Sequence, residues 1–82
     1  MAKECDFVAI QNGQVNALYQ VCNELTDLNR EHEYSGLQEA MNQYDLDWGI
    51  LITLNQEGTV QVPEGVIQIM PVWKWLLNIE EK

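Results

Sequence analysis

Basic residues are scarce in this sequence: Lys3, Arg30, Lys74 and Lys82 stand against 13 Asp and Glu, a formal net charge of −9 over 82 residues. Nucleic acids and anionic membranes are held by basic patches, so the balance argues against DNA binding by this chain on its own. Cysteine is nearly absent too. Cys5 and Cys22 are too few for a disulfide framework and point to a reducing, cytoplasmic compartment. No run approaches the roughly 20 apolar residues that span a bilayer, and the first residues carry no signal-peptide core. Pro63 and Pro71 are the sole prolines, with no Pro- or Ser-rich linker, repeat or low-complexity tract, so residues 1–82 read as a single domain. What the chain does have is 46% apolar residues, which excludes disorder. A domain this short buries only roughly 60% of its unfolded surface. That thin core predicts a piece of a longer polypeptide, or a protomer that needs a partner.

Strand signals open the chain. Glu4 to Gln11 alternates and is rich in strand formers, Asn12-Gly13 is the strongest short hairpin signal, and a second strand runs from about Gln14 to Asn23. Thr26, Asp27 and Asn29 are candidate N-caps for a helix in which Tyr34, Leu37, Ala40, Met41 and Tyr44 recur at spacings of three and four. Ser35-Gly36 weakens its middle by about 1 kcal/mol relative to Ala. Trp48 to Leu54 is a nearly continuous apolar run, the pattern of a strand covered on both faces. Turn residues Asn55–Gly58 and Pro63–Gly65 then separate short strands at Thr59–Val62 and Val66–Met70. Pro71 opens a last helix, Val72–Asn78, with Trp73, Trp75, Leu76 and Leu77. The expected fold is α/β of the α+β kind: a mixed sheet of about five strands in the order β-β-α-β-β-β, plus a short C-terminal helix. If the strands flanking the main helix are parallel, they form a right-handed crossover.

The hairpin register decides which residues share a face. A two-residue Asn12-Gly13 turn mixes apolar and polar side chains on both faces. A three-residue loop, Gln11-Asn12-Gly13 with Gly13 left-handed in a bulge, instead gathers Cys5, Phe7, Ala9, Val15, Ala17, Tyr19 and Val21 on one apolar face. Register follows the buried face, so the three-residue loop is expected. The other face then collects Glu4, Asp6, Gln20 and Cys22 at the open end of the hairpin. Such a cluster could hold a hard divalent cation through Glu4 and Asp6. The bland alternative is a solvated strand end.

These residues also resemble a known family. Glu4-Cys5-Asp6-Phe7-Val8, the Asn-Gly hairpin and Tyr19-Gln20-Val21-Cys22 are similar to the acidic hairpin of the PD-(D/E)XK, or restriction-endonuclease-like, superfamily. The similarity is greatest to the domain of unknown function that ends many prokaryotic AAA-type ATPases. Leu37 to Tyr44, Trp48 to Leu54 and the closing Pro71-Val72-Trp73-Lys74-Trp75-Leu76-Leu77 extend it over nearly the whole chain, and the closing run is the most specific part.

The resemblance implies a restriction-endonuclease-like core in which Asp6 matches the acid of the first catalytic strand. Gln20 stands where the second strand has Glu or Asp, and Cys22 where it has Lys. In the superfamily the acids bind Mg²⁺ and the Lys helps orient or activate the attacking water. Gln20 keeps an oxygen but loses the charge, and Cys22 supplies no cation. Glu4 is a second carboxylate that could compensate. The superfamily's leading helix has no counterpart, which implies a domain truncated at its N-terminus and a fragment of a longer protein. The expectation is thus a non-catalytic nuclease-like accessory domain, regulatory or partner-binding, with a preceding ATPase domain as partner. Any ATP would be used in that domain, since no phosphate-binding Gly-rich loop occurs here. The rivals are a metal-dependent nuclease using Glu4, Asp6 and Gln20, and a structural homodimerisation module.

The remaining candidates are weaker. His32, between Glu31 and Glu33, reads as a surface histidine. Cys5 and Cys22 lie on opposite faces in the expected register, so no disulfide is expected between them. Trp73 and Trp75, beside Leu76 and Leu77, read as packing against the sheet or a partner rather than as base-stacking residues.

Overall fold

Asn12 and Gly13 both have left-handed backbone, φ 56 and 78. Such a pair makes a two-residue turn whose twist matches that of the strands it joins. It connects β1 (Phe7–Gln11) to β2 (Gln14–Val21) in a computed structural model that describes residues 7–80, the side chains of Phe7, Val8, Gln11, Asn78, Ile79 and Glu80 excepted. The three-residue loop is therefore corrected. Gln11 faces Gln14 and Ile10 faces Val15, as the tight turn requires. The register then shifts at Asn16, so that Ala9 faces Ala17 and Val8 faces Leu18. One extra residue in β2 lets the tight turn and the pattern of buried faces coexist.

After β2 the chain runs through α1 (Arg30–Gln43), β3 (Trp48–Thr53), β4 (Gly58–Val62), β5 (Gly65–Pro71) and α2 (Val72–Glu80). The five strands form one mixed sheet in the order β1-β2-β3-β5-β4. β2, β3 and β5 are parallel neighbours, and β1 and β4 are antiparallel edge strands. The α+β expectation holds, with small shifts at the ends. β2 stops two residues early, and Pro71 closes β5 as a buried residue instead of opening α2.

The core lies between the sheet and α1. Leu37, Ala40 and Met41 of the helix pack with Leu18, Leu51, Ile67 and Ile69. Gly49 allows this close approach: a Cβ there would lie 2.9 Å from Leu37 Cγ. Asn29 is the residue before α1 but makes no side-chain cap. Its Oδ1 instead accepts from Thr26 N at 2.8 Å, and Thr26 Oγ1 accepts from Leu28 N and Asn29 N. α2 packs on the opposite face, over β5 and β3. Its Trp75 ring meets Tyr19 edge-on, with centroids 5.7 Å apart. β3 is covered on both sides as its sequence suggests, with Leu51 and Ile52 both buried.

Burial of the hairpin corrects a second expectation. The face under α1 is the one bearing Leu18 and Gln20, joined by Val15 through the bulge; on the face expected to be buried, Ala17 is buried but Val21 is exposed. Tyr19, on Val21's side, is half-buried. The main helix, not the apolar count of β2, selects the core face.

Candidate functional site

Gln20 follows Leu18 on the α1 face of β2 and is 8% exposed. Its Nε2 donates to Glu33 Oε1 at 2.9 Å, from the first turn of α1. Its Oε1 is buried and accepts no hydrogen bond from the described residues. A buried carbonyl oxygen left without a donor costs about 1–3 kcal/mol, so Gln20 is held there at a penalty.

Cys22 lies just past β2 and keeps the sheet ladder going, its N–H donating to Ile52 O at 2.9 Å. Its thiol Sγ donates to Glu24 O at 3.2 Å and accepts from Asn29 Nδ2 at 3.8 Å. Asn29 Nδ2 also donates to Glu24 O at 2.9 Å. Cys22 is thus bonded into the turn that launches α1. A donating thiol is the neutral form, and no positive charge sits at this position.

Glu4, Asp6 and Cys5 lie outside the described residues. Among the described residues, no three His, Cys, Asp or Glu side chains are grouped to hold a metal. The oxygen donors nearest to such a role are Gln20 Oε1 and the Glu33 carboxylate. His32 is exposed, as its charged neighbours suggest.

Glu33 is the residue that the hairpin motif does not reveal, although a signal for it exists. Glu33, Leu37 and Met41 recur at a spacing of four, which puts the carboxylate on the buried stripe of α1. Gln56 is another. Its Oε1 accepts from Leu25 N at 2.7 Å and its Nε2 donates to Leu25 O at 3.0 Å, clamping the β2–α1 connection to the β3–β4 turn. That pairing spans 31 residues and has no local signature.

The chain is similar to the uncharacterized protein MJ1544 of Methanocaldococcus jannaschii, with 40% identity over 81 residues. The match takes in 92% of this chain and 18% of that protein, so the chain spans less than a fifth of its relative's length. No family model matches the sequence, and no solved structure matches the chain.

Proposed function

We propose that this chain is a non-catalytic, nuclease-like accessory domain of a longer AAA-type ATPase, where it regulates the ATPase or binds a partner. One observation carries the reading. At the two positions where the superfamily keeps an acid and a lysine, Gln20 and Cys22 are hydrogen-bonded inward, to Glu33 and to the Glu24 carbonyl. Neither supplies charge to a scissile phosphate. The hairpin–helix–strand order, with β2 and β3 parallel, is compatible with a restriction-endonuclease-like core. The relative's greater length fits a domain carried on a longer chain. The scarcity of cysteine and the sequence's lack of a disulfide framework suit the cytoplasm. Among the described residues, no helix is long and apolar enough to cross a membrane.

The test is cleavage of supercoiled plasmid and of short oligonucleotides with Mg²⁺ or Mn²⁺. No cutting is expected. Metal-dependent cutting that Asp6→Ala abolishes would overturn the proposal.

A second reading, a metal-dependent nuclease acting on DNA through Glu4, Asp6 and Gln20, draws support from the bare Gln20 Oε1, which has the chemistry of a neutral ligand for Mg²⁺. Titration with Mn²⁺ followed by NMR separates the two. Broadening confined to Gln20, Cys22 and residues 4–6 would favour the nuclease.

A further inference from the structure

At the carboxyl ends of parallel β2 and β3 the surface opens into a cleft of about 230 Å³. Its walls include Val21, Ile52, Leu54, Val72 and Trp75, and they are almost wholly apolar. The volume falls below the roughly 300–1,000 Å³ of sites for small molecules and suits one large side chain. Asn23 and Leu54 also line an adjoining cleft of about 360 Å³, completed by Glu24, Asn55 and Gln56. An apolar hollow therefore shares a wall with a more polar one lined in part by Glu24.

The charges say what covers it. The described cations Arg30 and Lys74 are in ion pairs with Asp27 and Glu57, and neither pair uses Glu24. A second copy would bring another −9 to the contact and repel. A positively charged partner is instead attracted by the whole field of the chain and met by Glu24 beside the apolar hollow. We infer that the two clefts together form a docking site for a protein segment that presents one large apolar side chain next to a lysine or arginine. The apolar residue fills the hollow against Trp75 and Leu54, and the cation reaches Glu24. Val21, Leu54 and Leu76, about half exposed, extend the apolar surface that such a segment would cover. Buried anchors of this kind, aromatic or aliphatic, carry most of the energy of small interfaces. This deepens the partner-binding part of the proposed function, but its test does not depend on nuclease chemistry.

The probe is a capped hexapeptide with one Trp flanked by lysines, titrated into the 82-residue chain by NMR. Two control peptides replace the Trp by Ala or the lysines by Glu. The expected result is shifts at Val21, Ile52, Leu54, Val72 and Trp75, with each control weaker by at least about tenfold. Leu54→Ser, at an exposed position, should abolish binding, and Glu24→Gln should weaken it and flatten its salt dependence. No shift at these residues at millimolar peptide, or equal binding of the acidic control, would overturn the inference. So would sedimentation showing a dimer that Leu54→Ser dissolves, since a second copy would then be the occupant. A failed titration leaves the cleavage assay to judge the proposed function separately.

Discussion

Gly65 has φ 151, and a Cβ built on it would lie 1.9 Å from Asp47 O, the carbonyl that accepts from Val66 N. Neither the backbone angle nor the space admits a side chain. Gly65→Ala should lower stability by about 2–4 kcal/mol, read from urea unfolding. Gln20 behaves differently. Its buried Oε1 has no donor, so Gln20→Leu removes a penalty and keeps the volume, with stability expected within about 1 kcal/mol of the parent. Gln20→Glu places a second carboxylate beside Glu33 and should destabilise by about 2–3 kcal/mol near neutral pH. A Gln20→Glu variant as stable as the parent at neutral pH would mean that a bound cation offsets the charges.

Among the elements, the hairpin is the clearest case of two local rules reconciled by a third. Asn12-Gly13 demands a two-residue turn, the packing demands that Val15 and Leu18, three residues apart, share a face, and the bulge at Asn16 satisfies both. Deleting Asn16 should therefore yield a regular hairpin with the same faces. The variant is expected to unfold cooperatively within about 1 kcal/mol of the parent, with contacts between Ala9 and Ala17 kept in NOE spectra. If those contacts vanish, the bulge is needed for the fold. α2 offers a harsher test. Trp75 joins it to Tyr19, and Trp75→Ala should cost about 2–3 kcal/mol, below the full range for a buried aromatic because the ring is only half-buried. Trp73→Ala, at an exposed position, should leave the melting temperature almost unchanged.

For the whole molecule, a net charge of −9 on a small domain is self-repulsive. Raising NaCl from about 0.05 M to about 0.5 M shortens the screening length and should raise the melting temperature. Each kcal/mol gained appears as roughly 4–8 °C for a chain of this size. A melting temperature that falls with salt would show that local ion pairs outweigh the repulsion. The Arg30–Asp27 and Lys74–Glu57 pairs are too exposed to do so, since such pairs contribute about 0–1 kcal/mol each.

The order of elements was legible in the sequence because each carries its own local period or punctuation. The alternation of β1, the Asn-Gly turn, the three-four spacing of Leu37, Ala40 and Met41, and the apolar run from Trp48 are short-range signals. They sufficed for a mixed sheet with a main helix and a short final one. The candidate site was legible only in part. The positions of Gln20 and Cys22 on the hairpin could be named, but not that α1 would close over Gln20 or that Glu33 would take its amide. The sheet order, the burial of the Leu18–Gln20 face, the Gln56 clamp and the cleft between β2, β3 and α2 join residues far apart in the chain. Local pattern does not say which face of β2 the main helix covers, and only the docking of α1 and α2 on opposite sides of the sheet decides it.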